Sequence, residues 1–314
     1  MSTNDTPSTD PLGYPERHYG MDHRRYEWSM LQDRPALVWP GGKPLAVWIN
    51  ISLQHFPLNP TAKLKLPGSM TMPYPDLRHY TLRDHGNRVG IWRLLAELDG
   101  AGLPASFAIN AALISQAREL MSELRHRGAE VLGHSWNMDT PHAGTLEDER
   151  GLIERSLAEL RQAFGQPVTT WLSPGRLQTE HTPELLHAAG IRAVADWVND
   201  ELPYRFHTAH GDLWNLPLPT ETEDRFVVMD NLHSEASWAD QVIDAFEFQR
   251  AEARAAGAGR LFSLSLHPWV MGQAHRVKHL RRVMNHVQSA AADCWMTQPR
   301  DVVAHVESTL VSVA

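Results

Sequence analysis

Residues 44–55 read PLAVWINISLQH, and this stretch indicates the fold class because an apolar run passes directly into polar side chains. Residues 44–51 are apolar on both faces of an extended chain, which is typical of a short parallel strand buried under helices. The run is followed by Ser52, Gln54 and His55. In parallel α/β folds the loops after the strands carry the chemistry, so we expect these side chains to face a functional site.

The same pattern repeats along the chain as strands and helices in alternation. Further strands are predicted at residues 105–109, 130–132, 168–172, 192–195, 213–216, 226–229 and 261–266, with a last one near Cys294. Helices are predicted over residues 87–98, 116–126, 145–164, 182–189, 238–256 and 275–287, and from Arg300 onward, with Thr145 as a favourable N-cap. This alternation predicts an α/β fold, an irregular (β/α)7-type barrel.

The first forty residues differ from the rest of the chain. They are polar, contain several Pro and Gly, and show no clear period. We therefore predict an N-terminal arm over residues 1–40 and one barrel domain over residues 41–314. The segment from Tyr26 to Trp39 is rich in aromatic and apolar residues, and packing of this segment on a neighbour would give a homodimer or homotetramer.

The composition excludes several classes of partner. The formal net charge of −8 disfavours nucleic acid and anionic membranes, since both need a basic face. No stretch approaches the ~18 consecutive apolar residues of a membrane span, and no secretory signal is recognisable. One cysteine, Cys294, excludes an internal disulfide and a Cys-rich zinc module. We expect a cytoplasmic protein that acts on a small molecule, with no nucleic acid and no membrane as partner.

Three of the 18 histidines, His55, His134 and His267, fall at or just after predicted strand ends. Histidine is the side chain best suited to proton transfer near neutral pH. We therefore take His267 as the candidate general acid or base, with Asp196 or Asp200 as the carboxylate that orients it.

Other polar and aromatic residues follow the same strand ends. Arg176 can hold a carboxylate or a polarised carbonyl oxygen through its planar guanidinium. The reserve acid–base candidates on later loops are Glu221, His233 and Glu235, and the residues that could wall a flat pocket are Trp136, Trp197 and Trp269. No serine lies in a G-x-S-x-G turn and no glycine-rich phosphate loop is present, so we expect activated water and no nucleotide cofactor.

Over roughly residues 40–310 these segments resemble the polysaccharide deacetylase superfamily. In that family the first strand ends in an Asp pair, a base and a metal ligand; a His-Ser-x-x-His motif adds two ligands, and a late Leu-x-His motif supplies the acid. The corresponding segments here are residues 52–55, 134–138, 173–176, 196–204 and 264–267. The branch with bacterial allantoinase-type and cyclic imide hydrolases is most similar, through residues 86–93 (GNRVGIWR), 133–134, 175–176 and 200–204 (DELPY).

Three positions depart from the deacetylase pattern. Gln54 stands where the base Asp would be, His55 stands at the metal Asp, and Met138 stands at the second metal His. Glutamine cannot take a proton, and a thioether is a poor zinc ligand. A catalytic zinc usually has three protein ligands, whereas this pattern keeps His55 and His134, with His142 as a distant third. We expect that no cofactor is required; the alternative is one divalent metal (Zn) on His55 and His134.

The resemblance and the residues together favour a hydrolase of a non-peptide C–N bond in a small cyclic amide, imide or ureide. Water is activated by His267, and Gln54 polarises the substrate carbonyl. Glu221 is a further catalytic candidate, and the expected substrate-binding residues are Arg176, His134, Asp200, Trp136, Trp197 and Trp269. Two alternatives stay open: a metal-dependent sugar N-deacetylase, and a catalytically inactive relative that only binds a ligand.

Overall fold

Parallel strands form the frame of the molecule. The computed structural model describes residues 23–59, 77–139 and 145–310. Within these residues the strands are β1 (Leu45–Leu53), β2 (Ser106–Ile109), β3 (Glu130–Gly133), β4 (Thr170–Trp171), β5 (Ala193–Val194), β6 (Tyr204–Thr208), β7 (Gly211–Asn215), β8 (Arg260–Leu266) and β9 (Cys294–Thr297). They form one sheet in the order β6-β7-β5-β4-β3-β2-β1-β8, in which only the β6–β7 pair is antiparallel, and β9 pairs with residues 45–48 of β1.

This sheet curls without closing. Within the described part of the chain no ladder joins β8 to β6 or β7, the strands at the other end of the order. The result is a curled half-barrel of mixed α/β type. The irregular barrel predicted from the alternating pattern is thereby confirmed.

Helices cover the sheet and connect its strands. The α-helices of the described residues are α1 (Leu77–His85), α2 (Ile91–Ala101), α3 (Leu113–Gln116), α4 (Arg118–His126), α5 (Leu146–Phe164), α6 (Thr182–Ala188), α7 (Glu235–Ala256), α8 (Pro268–Met271), α9 (Val277–Ser289) and α10 (Pro299–Leu310). The predicted N-cap of α5 is confirmed, because the Thr145 hydroxyl accepts from the Asp148 amide at 3.2 Å and the Asp148 carboxylate accepts from the Thr145 amide at 2.8 Å. None of these helices is long and apolar enough to cross a bilayer.

The central strand β1 fixes which residues meet at the carboxyl edge. All nine of its residues are buried, as its apolar pattern predicts. On one side it pairs with β8 so that Ile51 lies opposite Leu266, and on the other it pairs with β2 so that Leu53 lies opposite Ile109. The residues that follow these strands, Gln54 and His267 among them, therefore leave the sheet at the same edge.

Three segments differ from the predicted elements. Residues 226–229, predicted as a strand, lie within a π-helical turn from Arg225 to Asp230. Strand β6 was not predicted, because its burial alternates irregularly and it lies at the edge of the sheet. A second π-helical turn, Gly86–Gly90, precedes α2 and replaces the start of the helix predicted at residue 87.

Residues 23–39 of the predicted arm contact the body of the domain. Arg25 pairs with Glu184 at 2.6 Å, Arg34 pairs with Asp200 at 2.5 Å, and the Trp39 indole donates to the carbonyl of Arg260 at 2.8 Å. Residues 1–22 lie outside the described residues. The boundary near residue 40 and the homo-oligomer stay predictions.

Candidate active site

His267 is held at the carboxyl edge of the sheet by the strand before it and the helix after it. It follows β8 directly, and Pro268 begins α8 behind it. Its Nδ1 lies 2.7 Å from Oδ1 of Asp224, and its amide donates to Oδ2 of the same carboxylate at 2.8 Å. The His267 side chain is only 4% exposed and that of Asp224 is fully buried. Two bonds from one carboxylate thus fix both the position and the tautomer of the ring, leaving Nε2 toward the site.

Asp224 also begins the π-helical turn that follows it, since its Oδ1 accepts from the Arg225 amide at 2.7 Å. Burial raises the pKa of Asp224, and the charge of His267 together with its two N–H bonds to the carboxylate opposes that rise. A buried carboxylate that accepts the Nδ1 proton stabilises a positive charge on the imidazole ring. The arrangement is therefore suited to a histidine that takes up and returns a proton.

A second buried carboxylate lies next to the first. Oε1 of Glu223 is 4.0 Å from Nε2 of His267, and Oε2 accepts from Nη1 of Arg176 at 2.9 Å. Burial raises the pKa of Glu223, but Arg176, followed by His267 and Arg225, outweighs it and holds the pKa below its ordinary value. Glu223 is thus an anion beside Nε2, at a separation that one water molecule can bridge.

Arg176 is held in an unusual backbone conformation. Its φ is 56° and that of Gly175 before it is 63°, in the short turn that follows β4. A non-glycine residue in this region is strained, and such strain is frequent at functional sites. The turn directs the guanidinium so that Nη2 donates to the carbonyl of Leu218 at 2.7 Å while Nη1 bonds Glu223.

His134 occupies the next strand end, after β3. Its Nδ1 is 2.6 Å from the carbonyl oxygen of Leu172, which can only accept. Burial lowers the pKa of His134 to about 4, against the effect of the Leu172 carbonyl, and the charges of His267 and Arg176 lower it further. Since Nδ1 carries the proton of this neutral ring, Nε2 presents a lone pair.

Gln54 and His55 leave β1 beside Trp269. The Trp269 indole donates to Oε1 of Gln54 at 3.2 Å, which makes Nε2 the donor end of that amide. The His55 backbone is held by Oδ1 of Asn110 at 2.8 Å, and burial lowers the pKa of the His55 ring in spite of a bond to Gln116. Both residues line a cavity of about 370 Å³ that reaches α1, α3 and α4 but is not lined by His134 or His267.

The structure corrects the predicted carboxylate partner of His267. Asp196 accepts from the amide and the hydroxyl of Ser173, each at 2.7 Å, and so ties β5 to the neighbouring β4. Asp200 pairs with Arg34 of the arm and accepts from the amides of Glu201 and Leu202 at 2.8 and 3.0 Å. Neither carboxylate bonds to His267, so their predicted role as its partner is wrong.

The acids next to His267 are Glu223 and Asp224, and not the predicted Glu221. Glu221 is exposed, whereas Glu223 and Asp224 are 3% and 0% exposed and lie against His267. His233 is exposed, and Glu235 pairs with Arg276 at 2.7 Å. The signal for the missed residues is the run Glu221-Thr222-Glu223-Asp224 after an apolar strand, which holds three acids within four positions.

The three predicted tryptophans have different surroundings. Trp269 bonds Gln54, lies 4.9 Å from the Arg83 guanidinium and makes an edge contact of 6.0 Å with the His267 ring. Trp136 stacks against Arg155 at 3.6 Å. Trp197 packs on Phe206 and on Tyr26 of the arm at 5.3 and 5.9 Å. Of the three, Trp269 is the one in contact with His267.

The donor set fits a catalytic zinc poorly. Within residues 23–59, 77–139 and 145–310, no group of three or more His, Cys, Asp or Glu side chains is placed to hold a metal. His134 offers a lone pair, but Met138 stands where the family has its second metal histidine, and Gln54 stands where it has the base. His142, the distant third candidate, lies outside the described residues.

Comparisons with known proteins agree with the resemblance read from the motifs. A family model described as polysaccharide deacetylase matches residues 79–194. A peptidoglycan deacetylase of Helicobacter pylori is 23% identical over 243 residues, covering 67% of this chain and 81% of that protein. The predicted relationship to polysaccharide deacetylases is confirmed.

Two solved structures share the fold. The crystal structure of Puue allantoinase superposes with a TM-score of 0.79 at 20% identity, over 95% of this chain and 99% of that one. A probable polysaccharide deacetylase from Pseudomonas aeruginosa PAO1 gives a TM-score of 0.75 at 22% identity, over 88% and 95% of the two chains. At these identities the likeness concerns the fold alone.

Proposed function

We propose that the chain is a hydrolase that opens a C–N bond of a small cyclic amide, imide or ureide with activated water, a proposal supported by the match of a polysaccharide deacetylase family model to residues 79–194. The observation that carries this proposal is the buried pair His267–Asp224 with the anion Glu223 beside Nε2. A base of this kind can generate a nucleophile from water without a serine or cysteine.

In the first step Nε2 of His267 takes a proton from a water molecule held between it and Glu223. The water oxygen forms a bond to the substrate carbonyl carbon, and the carbonyl electrons move to oxygen. Asp224 stabilises the imidazolium, and Nε2 of Gln54 donates to the developing oxyanion. Arg176 keeps Glu223 ionised and in place.

In the second step the C–N bond breaks and the electron pair returns to nitrogen. The imidazolium of His267 gives its proton to this leaving nitrogen, and the carbonyl carbon becomes a carboxylic acid that ionises in water. One water is consumed, and His267 returns to its neutral form. An imide or ureide suits a histidine base, because its carbonyl is more electrophilic and its nitrogen leaves more readily than in a simple acetamide.

The three side chains proposed to activate water are buried. His267, Asp224 and Glu223 have side-chain exposures of 4%, 0% and 5%. The cavity of about 370 Å³ beside Gln54 is within the size range of small-ligand pockets. This cavity is not lined by His134 or His267, so it bears on the substrate only through Gln54, the proposed donor to the oxyanion.

A sugar N-deacetylase is the second candidate, favoured by the similarity to the Helicobacter pylori peptidoglycan deacetylase. The two functions differ in substrate and in metal. Hydrolysis of succinimide, hydantoin or allantoin that persists in a chelator supports the first. Release of acetate from N-acetylglucosamine oligomers that stops in a chelator, with no turnover of the rings, supports the second and overturns the first.

A further inference from the structure

Several buried polar atoms without a hydrogen-bond partner lie in the segments that follow β3, β4, β5 and β7. Within the described residues they include His134 Nε2, Ser135 Oγ, Arg176 Nε, Trp197 Nε1 and Thr222 Oγ1. Buried polar groups in folded proteins are almost always bonded, so each exception calls for an explanation. Of these, His134 lies near enough to His267 and Arg176 for their charges to lower its pKa, and a polar ligand at this point would complete the bonding of His134 Nε2 and Arg176 Nε.

The Nε2 atom of His134 is a hydrogen-bond acceptor, because Nδ1 of the same ring carries the proton. His134 is 2% exposed, and its Nδ1 donates to the Leu172 carbonyl at 2.6 Å. Its backbone is held as well, because Nδ2 of Asn110 donates to the His134 carbonyl. The ring therefore cannot turn without breaking a short buried bond, and Nε2 is an acceptor that needs a donor opposite it.

We propose that Nε2 of His134 accepts the ring N–H of the substrate, which restricts the enzyme to imides and ureides whose nitrogen is unsubstituted. This inference rests on the proposed function and names its substrate class. In such a ring an N–H donor lies directly beside a carbonyl acceptor. The site offers the complementary pattern: an acceptor at His134 Nε2 and a buried N–H donor at Arg176 Nε.

In an N-methyl ring the methyl group takes the place of the N–H donor that would face Nε2 of His134. The methyl group leaves the Nε2 lone pair unbonded and presses on a ring that Leu172 and Asn110 keep in place. A site built to bond a polar group rejects an analogue without it more strongly than an apolar pocket rejects a change of shape. The discrimination is therefore expected in both binding and turnover.

The test compares succinimide with N-methylsuccinimide as substrates of the wild type and two variants. His134→Asn keeps a donor for the Leu172 carbonyl but removes the acceptor at the Nε2 position. His134→Gln places an amide oxygen near that position and so keeps an acceptor. Thermal unfolding of each variant checks that it is folded. The ratio of kcat/KM values within each protein is compared between proteins, which cancels the intrinsic reactivity of the two rings.

We expect the wild type to favour succinimide by about 100-fold, the Asn variant to lose at least tenfold of that preference, and the Gln variant to keep most of it. An Asn variant that is active with an unchanged ratio overturns this inference and leaves the proposed function standing. Equal loss on both rings together with loss of bound zinc also overturns it, since the lone pair then binds metal. A wild type that hydrolyses neither ring overturns the proposed function itself.

A measurement on the wild type alone covers the case in which neither variant folds. The lactam 2-pyrrolidinone and its N-methyl derivative are unreactive rings that differ only at nitrogen. We expect 2-pyrrolidinone to inhibit succinimide hydrolysis at a concentration at least about tenfold lower than the N-methyl form. Equal inhibition by the two lactams contradicts the proposed role of His134.

Discussion

His267 and Asp224 are 43 positions apart in the chain, yet Nδ1 of one lies 2.7 Å from Oδ1 of the other. They follow β8 and β7, which lie near opposite ends of the sheet order. The contact therefore spans the open side of the curled sheet. The curl of the half-barrel, and not adjacency of strands, brings the proposed base and its carboxylate together.

The first prediction concerns this contact. Asp224→Asn keeps the shape of the side chain but offers an N–H to the ring, which favours the wrong tautomer of His267. We expect kcat for ring opening to fall by about 10²–10⁴-fold with little change in KM. Glu221→Gln is the matched control, since Glu221 is an exposed acid three positions earlier and should keep wild-type kinetics. Equal activity of the Asn variant and the wild type would show that Asp224 does not act on His267.

The second prediction concerns the close packing behind Trp269. A Cβ on Gly90 would lie 2.2 Å from the carbonyl oxygen of Pro268, so the π-helical turn and α8 can approach only if residue 90 has no side chain. Gly90→Ala should lower the free energy of unfolding by about 1–3 kcal/mol and reduce activity, because α8 follows His267 directly. Gly100→Ala, at a helical position with open space around it, should be neutral or stabilising by up to about 1 kcal/mol. Urea titration of both variants checks this, and equal stabilities would contradict the packing argument.

The third prediction concerns pH. Burial raises the pKa of Glu130 from 4.5 to about 7, although the Arg300 amide and guanidinium oppose the rise. A folded-state pKa above the unfolded one means that the contribution to stability is complete below pH 4.5 and is lost as pH rises through about 7. Glu130→Gln should remove this loss, worth up to about 3 kcal/mol, between pH 5 and 8. Glu154→Gln, at an exposed position, should keep the wild-type dependence of the unfolding free energy on pH. If both variants show the same dependence on pH, Glu130 does not titrate in this range.

The fourth prediction concerns metal. The described donor set is too small for a catalytic zinc, so we expect well under one equivalent of Zn, Mn, Fe or Ni in the purified protein and ring hydrolysis that resists a chelator. Elemental analysis of the protein together with the assay checks both parts. One equivalent of metal with chelator-sensitive activity would instead indicate a rebuilt site on His55 and His134.

Much of the frame could be predicted from the sequence because buried parallel strands leave a local signal. The apolar run before Gln54 and the capping pair Thr145–Asp148 each lie within a few residues, and both are confirmed. The carboxylate of His267 could not be predicted in the same way. Asp196 follows β5 and bonds to the end of the adjacent β4, whereas Asp224 reaches His267 across the curl, which no local pattern encodes.

The hydrogen bonds of the site could not be predicted from the sequence for the same reason. His134 follows β3 and could be selected from its position after a strand, but its tautomer depends on the carbonyl of Leu172, 38 positions away. Likewise the pairing of Arg176 with Glu223 joins residues 47 positions apart. Residue type and position after a strand were enough to select His267, His134 and Arg176 from the sequence. Their hydrogen-bond partners, which determine tautomer and charge, depend on the tertiary structure.

In the proposed mechanism His267 activates water for the opening of a small ring. The most direct measurement is kcat/KM for succinimide and hydantoin in the presence of a chelator, for the wild type and for His267→Ala. We expect turnover by the wild type and a loss of about 10²–10⁴-fold in the variant, with unchanged thermal unfolding. Wild-type protein that opens neither ring, or a variant as active as the wild type, would contradict it.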